Sequence, residues 1–238
     1  MGLKGSLRNV STGVSAIPDS VVDNFQDADG DPAGVYEPEQ TLDDYYAEGV
    51  SGALSQVSRD TIRAISGTTS LNGDDTDGTR SIYSTANDGL NRYPEKGEIF
   101  HAYVYGTGNE RLAIGFGVDN NGDGYWAQSR GVDNEYKLGK GAFAEDNILI
   151  PRTSVSIPTD DWHIIEIEWH DGSGSEPDNE IVFNLYDTDE NDAKDGLLVS
   201  DSVNDSDFAA ETGVGWNFNM VSGETQADQY EVIGHVSD

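Results

Sequence analysis

The stretch EIEWHDGSG, residues 166–174, brings together side chains that could do acid–base chemistry. Glu166 and Glu168 are two positions apart, and His170 follows two positions later. In a β-strand such residues face the same side, roughly 6.6 Å apart along the backbone. A pair of carboxylates flanking a sugar–sugar bond is the usual machinery of glycoside hydrolysis. The solvent-facing side of an ordinary strand in a very acidic protein shows the same spacing, and we favour that interpretation.

Two Asp-rich loops have oxygen ligands at alternate positions, as the first half of an EF-hand loop does. The candidate Ca²⁺ ligands are Asp27, Asp29 and Asp31 in DADGD, with Asp119, Asn121 and Asp123 in DNNGDG as the alternative. In the second loop Arg130 stands where an EF-hand needs a glutamate, so a plain β-turn is favoured there. Ca²⁺ is the one cofactor we consider, because a chain with no cysteine and scattered histidines is a poor zinc ligand.

Several aromatic residues could form a sugar-binding surface. Lectins set aromatic rings against the C–H faces of sugars, beside groups that hydrogen-bond the hydroxyls. Trp126 and Tyr125 follow a polar loop, and we predict glycan binding by Trp126, Tyr125, Arg130, Tyr103 and Tyr105. The alternative is that several of these rings belong to the core, as we predict for Trp162, Trp169 and Trp216.

These residues lie in segments whose apolar residues alternate with a period of two. HAYVYGTG alternates Ala102 and Val104 with tyrosines, and WHIIEIEWHD puts its isoleucines and Trp169 opposite the two glutamates. RLAIGFGVD does the same and predicts Leu112, Ile114, Phe116 and Val118 on one face. Such alternation is typical of half-buried antiparallel strands. Gly- and Asp-rich turns separate the segments, and many short strands of this kind indicate a sandwich or a barrel.

The composition limits the classes of function. The chain has 238 residues, a formal charge of −32 and no cysteine, so a disulfide framework is not available. A charge of this size is typical of disorder or of a folded protein in molar salt, where the Debye length is only about 3 Å. The regular alternation favours the second explanation. No basic stripe is present to neutralise phosphates, so we expect no nucleic acid partner.

The charge changes along the chain and predicts two parts. Residues 1–18 carry Lys4 and Arg8 and no carboxylate, whereas every acidic residue of the chain lies in residues 19–238. We interpret residues 1–18 as an anchor segment, with a frayed terminus as the alternative. The remainder, residues 19–238, is then one β domain. No run of 18 apolar residues occurs, and we expect neither a signal peptide nor membrane insertion.

Three stretches, in order, resemble the concanavalin A-like lectin/glucanase (laminin-G-like) sandwich domains. They are VVDNFQDADGDPAGVY, SVSIPTDDWHIIEIEWHDG and the closing pair ETGVGWNFN and DQYEVIG. The resemblance implies an all-β fold, a two-sheet antiparallel jelly-roll sandwich of about 13 strands. Glucanases of this fold carry a second acid where this chain has His170, so the resemblance itself weighs against catalysis by Glu166 and Glu168. We expect His163 and His170 to be surface or strand-end residues.

The leader LKGSLRNVSTGVSAIPDS resembles the start of tail-fibre and spike proteins of viruses of halophilic archaea. This implies a virion-surface protein that contacts other virion proteins through residues 1–18 and binds a host surface glycan or S-layer glycoprotein. We expect a homo-oligomer, a trimer or a pentamer, on the particle surface in high salt. The alternatives are a glycoside hydrolase that uses Glu166 and Glu168, or a decoration domain that binds nothing.

Overall fold

A computed structural model describes residues 21–23, 25, 41–50, 52–65, 69–73, 78–86, 88–90, 92–108, 110–142, 147–220 and 224–236. These residues form two antiparallel β-sheets packed face to face. The predicted all-β, two-sheet antiparallel sandwich is therefore confirmed. The anchor segment predicted at residues 1–18 lies outside the described residues.

The first sheet has the strand order β13-β12-β11-β6-β15-β4-β3, and β1 also pairs with β15. Its strands are β1 (Val21–Asp23), β3 (Val57–Asp60), β4 (Ser70–Gly73), β6 (Glu98–Gly106), β11 (Asp161–Asp171), β12 (Asp178–Thr188), β13 (Lys194–Asn204) and β15 (Thr225–His235). Three consecutive strands, β11 to β13, form a meander because short turns join them.

The second sheet has the order β10-β9-β8-β7-β14-β5-β2. Its strands are β2 (Ala47–Glu48), β5 (Gly78–Ser84), β7 (Glu110–Val118), β8 (Asp123–Arg130), β9 (Glu135–Ala142), β10 (Asn147–Ser154) and β14 (Gly213–Met220), and two 3₁₀ turns, η1 (Leu42–Asp44) and η2 (Gly131–Asp133), lie beside the sheets. Among the described residues no helix is long and apolar enough to cross a membrane.

The core lies between the two sheets and is rich in aromatic side chains. Trp169 from the first sheet packs edge-on against Phe116 from the second, with ring centroids 5.4 Å apart. Trp216 and Tyr230 repeat this arrangement at 5.5 Å. Trp169 and Trp216 are therefore core residues, as predicted, and burial of each such ring stabilises the fold by about 1.5–3 kcal/mol or more.

The alternation on β7 breaks at Gly117, and this corrects the prediction for Val118. Gly117 has φ +57°, and the pairing of β7 with β14 shifts its register next to it. This extra residue turns Val118 to the opposite side of the sheet, where it packs in a separate apolar cluster with Ala113 and Trp126. A β-bulge with glycine in the left-handed region has this effect.

The motif VVDNF has a structural role. Asp23 is buried, and its carboxylate accepts hydrogen bonds from the Phe25 backbone N–H at 2.7 Å and from the Tyr46 hydroxyl at 2.8 Å. The Phe25 ring packs on Trp216 with centroids 5.6 Å apart. Burial, and then the charge of Asp23, raise the pKa of Tyr46 well above its usual value. Asp23 thus ties the first strand of the domain to the segment that precedes β2.

Candidate functional site

Side chains that point away from the core form two rows across the outer face of the first sheet. Strand pairing aligns Tyr103, Ile164, Tyr186 and Leu197 in one row. The adjacent row contains His101, Glu166, Asn184 and Ser200. An apolar, aromatic row therefore runs beside a polar row, and Leu197 at its end is 54% exposed.

A hydrogen-bonded network, which we call the acid patch, includes Glu166 and Asn184 of the polar row and three residues of neighbouring rows: Glu168, Tyr186 and Lys194. The Asn184 amide donates to Glu168 Oε1 at 2.8 Å and to Glu166 Oε1 at 3.4 Å. The Lys194 ammonium donates to Glu166 Oε2 and lies 3.8 Å from the centre of the Tyr186 ring. The side chain of Glu166 is only 5% exposed, whereas those of Glu168 and Lys194 are 32% and 35% exposed.

The prediction of a solvated strand face is therefore wrong for Glu166, which is buried, while Glu168 stays partly open to solvent. Burial alone would lower the pKa of Lys194, but its hydrogen bond and charge pairing with Glu166 prevail and raise it. The pKa of Tyr186 is raised by burial and then by Glu166, against the opposing effect of Lys194. Both shifts favour the state with a protonated Lys194 and a neutral Tyr186 beside Glu166.

The two histidines of β11 are buried, so the surface prediction is wrong for both, while His170 lies one residue from the end of β11, as the strand-end alternative predicts. His163 points into the core, where its Nε2 lies 2.9 Å from Ser129 Oγ, and burial lowers its pKa to about 3. His170 faces outward but is only 5% exposed, and its Nδ1 lies 3.2 Å from Glu176 Oε2. The loop after β11 thus folds back toward His170.

Tyr103 and Tyr105 lie on this same outer face, but neither has an open ring. Tyr105 is 3% exposed because the Arg63 guanidinium lies 4.3 Å from its ring centre and Trp162 packs against it at 5.5 Å. Tyr103 is 8% exposed. The prediction that these two rings stack on sugars is not supported by their burial. Trp162 is buried as predicted, although in this outer cluster and not between the sheets.

The other predicted glycan residues lie on β8 in the second sheet and are buried, so the predicted surface is wrong. Tyr125 points into the core beside Phe116. Trp126 points outward, but its indole lies flat on the sheet and is 0% exposed, with Nε1 donating to the Gly141 carbonyl at 2.9 Å. Arg130 is 1% exposed and forms an ion pair with Asp133.

The flat position of Trp126 depends on two glycines in neighbouring strands. A Cβ at Gly115 would lie 2.8 Å from the indole, and one at Gly215 would lie 2.6 Å from it. No side chain other than hydrogen fits below the ring at these two positions. The sequence shows the glycines at alternate positions, but only strand pairing reveals that they share one row with Trp126.

The loop between β7 and β8 is a hairpin turn that is stabilised by the carboxylate of Asp119, a residue of the turn itself. Asp119 Oδ1 accepts from the backbone N–H groups of Asn121 at 2.7 Å and of Asp123 at 3.1 Å. This is the β-turn that the sequence favours over a cation site at Asp119, Asn121 and Asp123. No group of three acidic, histidine or cysteine side chains suited to a metal occurs among the described residues. Asp27, Asp29 and Asp31 lie outside those residues, so that Ca²⁺ site stays a prediction.

A groove of about 670 Å³ lies beside the edge strands β2 and β3, and its described lining contains none of the predicted site residues that the structure describes. Its lining includes Leu42, Leu54, Val57, Glu48 and Arg59. Glu48 uses both carboxylate oxygens to accept backbone hydrogen bonds from Gly52 and Leu54. This carboxylate therefore holds a loop, and the described part of the lining has no aromatic ring that could face a sugar.

Sequence reasoning missed Asn184, Tyr186 and Lys194. A signal for the first two exists, because EIVFNLYD puts Asn184 and Tyr186 opposite the apolar Phe183 and Leu185. Lys194 stands alone in the acidic turn NDAKDG, and only the pairing of β13 with β12 brings it to Glu166.

No protein-family model matches the chain, and no curated protein matches it in sequence. Solved structures do match in fold. The carbohydrate-binding module CBM66 from Bacillus subtilis is 16% identical with a TM-score of 0.51, and the match covers 78% of this chain and 92% of that one. An endo-β-galactosidase from Clostridium perfringens matches at 11% identity and TM-score 0.48, over 84% and 61% of the two chains. A toad ovary galectin in complex with thio-digalactose matches at 11% and 0.36, over 62% and 98%.

At these identities the similarity concerns the fold alone. The chain has a two-sheet antiparallel β-sandwich of the galectin-like and concanavalin A-like kind. The resemblance of residues 19–238 to concanavalin A-like domains is thus confirmed at the level of the fold, while the viral part of the resemblance stays a prediction.

Proposed function

We propose that this chain is a carbohydrate-binding module that recognises sugars through the acid patch. The observation that carries the proposal is a carboxylate and an ammonium, Glu168 and Lys194, that are both partly open to solvent and lie beside the buried amide of Asn184. Adjacent sugar hydroxyls need both donors and acceptors; Lys194 and Glu168 supply them, and Asn184 holds Glu168 in place. Tyr186 and exposed Leu197 lie alongside and offer apolar contact for the C–H groups.

We further propose that binding takes place without cleavage. A retaining glycosidase needs one carboxylate as nucleophile and a second as acid, both free to reach the sugar. Here Lys194 and Asn184 engage the two oxygens of Glu166, and Asn184 also engages Glu168. This pattern supports a recognition role for the two carboxylates, and glycoside hydrolysis is the second candidate function because it would use the same pair.

The biological setting that we propose is the surface of a virion of a halophilic archaeal virus. The leader at residues 1–18 supports attachment to other virion proteins, and the charge of −32 supports a habitat in molar salt. Host surface glycan or S-layer glycoprotein is then the natural ligand. An oligomer, a trimer or a pentamer, would raise the avidity of weak single sites by about 10²–10⁴. Antibody labelling of purified particles in the electron microscope tests this location.

Binding is tested on a glycan array in high salt with the variants Asn184→Ala and Glu168→Gln. We expect the wild type to bind. Each variant should lose at least about tenfold in affinity, because Glu168→Gln removes a charged hydrogen-bond acceptor and Asn184→Ala removes the amide that bonds to Glu168. Asn204→Ala is the matched control, since this asparagine lies on the same sheet but outside the acid patch. Equal loss in the control would contradict the site.

Catalysis is tested separately with a reducing-sugar assay on host surface polysaccharide. We expect no release of sugar by the wild type. Release that Glu166→Gln abolishes would establish the hydrolase instead. A wild type that binds neither the array nor intact host cells would favour a decoration domain.

A further inference from the structure

Glu166 and Glu168, the two carboxylates of the acid patch, differ in what balances their charge. The Lys194 ammonium donates to Glu166, which is buried. The side chain of Glu168 is 32% exposed, and its Oε1 accepts a hydrogen bond from the neutral amide of Asn184 at 2.8 Å. Among the residues that the structure describes, no lysine or arginine forms an ion pair with Glu168. The acid patch thus has two carboxylates to one ammonium, and the surplus negative charge lies on the more exposed carboxylate.

His170 lies next to Glu168 but forms no hydrogen bond with it. The His170 Nε2 atom is 3.9 Å from Glu168 Oε2, which is too far for a hydrogen bond. At the other ring nitrogen, Glu176 Oε2 lies 3.2 Å from Nδ1, and this carboxylate favours the proton on Nδ1. Nε2 then has a lone pair, so two acceptors lie side by side. The side chain of His170 is only 6% exposed, and neither ring nitrogen has an aligned hydrogen-bond partner among the described residues.

A group with several N–H donors and a positive charge would satisfy both acceptors. One nitrogen can reach two atoms that are 3.9 Å apart through hydrogen bonds of about 2.9 Å. An ammonium has three donors, whereas a sugar hydroxyl has one. A ligand that covers Glu168 also removes the carboxylate from water, and a cation balances the charge that is then buried. The surroundings of Glu168 therefore favour an ammonium over a hydroxyl.

The neighbours of Glu168 on the two adjacent strands are aliphatic. Val182 on β12 and Ile99 on β6 lie directly opposite Glu168, and both are half-buried. Residues directly opposite on adjacent strands face the same side of a sheet. An aliphatic side chain therefore lies on each side of the carboxylate, which suits a charged group that is carried by a C–H framework.

We propose that the acid patch selects sugars that carry a primary ammonium, as 2-amino-2-deoxyhexoses do, and that Glu168 determines this preference. The inference rests on the function proposed above, because the ammonium is one substituent of a sugar bound by the same patch. Glu168 Oε2 and His170 Nε2 accept hydrogen bonds from the ammonium, and Val182 and Ile99 contact the adjoining C–H groups. An N-acetylated amine has no charge, and a uronate or a sulfate meets the surplus negative charge, so both bind less well.

The test compares three disaccharides that have the same linkage: two β-linked glucosamine units, their N-acetylated form, and cellobiose. Binding to the full chain is measured by calorimetry at about pH 7 in about 1 M salt. At this salt the overall charge of −32 is screened, so the general attraction of an amine to an acidic protein is small. We expect the glucosamine disaccharide to bind at least about tenfold more tightly than the other two.

Two variants should shift this preference in opposite directions. Glu168→Gln removes the surplus charge, so the glucosamine disaccharide should bind no more tightly than its N-acetylated form. Lys194→Met removes the ammonium of the patch and should raise the preference for glucosamine, because Glu166 then adds to the negative charge. Glu211→Gln is the matched control, since it removes one carboxylate from an exposed position before β14, and it should leave the preference unchanged. If circular dichroism shows that Glu168→Gln is misfolded, Lys194→Met gives the measurement.

The inference is overturned if the glucosamine disaccharide does not bind, or if the wild type binds all three disaccharides equally, as it would if His170 already neutralised Glu168. An equal change of preference in Glu211→Gln would also overturn it, because the effect would then belong to the overall charge. In each case the proposed function still holds if neutral sugars bind on the glycan array. Loss of all binding on the array would instead remove the proposed function, and this inference with it.

Discussion

Two regions on the outer faces of this sandwich, the acid patch and the row around Trp126, are built from the same alternation but differ in access to solvent. On the first sheet, Glu168 and Lys194 keep about a third of their side-chain surface exposed. On the second sheet, Trp126, Gln128 and Lys137 also point away from the core and are at most 3% exposed. Alternation therefore tells which way a side chain points, but not whether the face it reaches is open.

Glycine explains part of this difference. The second sheet has Gly115 and Gly215 in the row of Trp126, and the indole lies directly on their backbone. The acid patch has long polar side chains where the row of Trp126 has glycines, and these side chains are hydrogen-bonded to one another. The first face can thus offer polar groups to a ligand, while the second uses its largest side chain for stability.

The largest effect is expected from Trp126→Ala. This change removes a fully buried ring and its hydrogen bond to Gly141, and should lower the free energy of unfolding by about 3–5 kcal/mol. Leu197→Ala, at an exposed position in the first face, should change it by about 0.5 kcal/mol or less. Urea unfolding in high salt measures both. Comparable losses in the free energy of unfolding would show that buried Trp126 contributes no more to stability than exposed Leu197.

The next effect concerns Gly115 and Gly215, the two glycines that lie under the Trp126 indole. Gly215→Ala brings a methyl group to 2.6 Å from the indole and 3.0 Å from the Ile82 carbonyl oxygen, so we expect a loss of about 3 kcal/mol. Gly196→Ala on β13 is the control, because nothing lies within 4 Å of its Cβ position. Thermal unfolding compares the two. If Gly215→Ala leaves the stability unchanged, the Trp126 ring can shift without cost and glycine is not required at this position.

Much of the fold was predictable because its strands are half buried. The alternation around Ile165 and Ile167, and around Leu112 and Ile114, predicts strands since each has one apolar face. The order of the strands and the bulge at Gly117 were not predictable, because they depend on pairing between segments far apart in sequence. The wrong face for Val118 follows directly from that bulge.

Less of the candidate site was predictable. The spacing of Glu166 and Glu168 revealed the two carboxylates, but their partners come from the next two strands, and no pattern within one strand encodes cross-strand contacts. The polar loop before Trp126 suggested an exposed ring. Its burial depends on the glycines of β7 and β14, which the local sequence around Trp126 does not contain.

A third effect, of about 2 kcal/mol at about pH 5, concerns the inward-facing His163. The pKa of His163 falls from 6.5 to about 3 on folding, so the folded state binds its proton less readily than the unfolded state. The neutral ring contributes fully above about pH 6.5, and its contribution is lost as the pH falls through this window toward 3. At about pH 5 the free energy of unfolding is therefore lower by about 2 kcal/mol than above pH 6.5.

The measurement is urea unfolding between about pH 7.5 and pH 5, together with an NMR titration of the imidazole. Carboxylates titrate at and below the acidic end of this range, so the effect of His163 is taken from the difference between the wild type and a variant. His163→Gln should flatten the dependence on pH. A wild-type slope that persists in His163→Gln would assign the acid sensitivity to other groups.

The smallest effect tests whether the acid patch is a built network. Lys194→Met leaves the buried Glu166 carboxylate without its ammonium, and we expect a loss of about 1 kcal/mol, since Lys194 is a third exposed and Asn184 still donates. Lys96→Met is the control, because its partner Asp178 is 60% exposed and the pair should contribute almost nothing. Adding Glu166→Gln to Lys194→Met should restore part of the loss, because a neutral amide replaces the unpaired charge. If Lys194→Met destabilises the protein no more than Lys96→Met does, Glu166 and Glu168 are hydrated independently of Lys194. The acid patch would then have no preformed arrangement for binding a sugar.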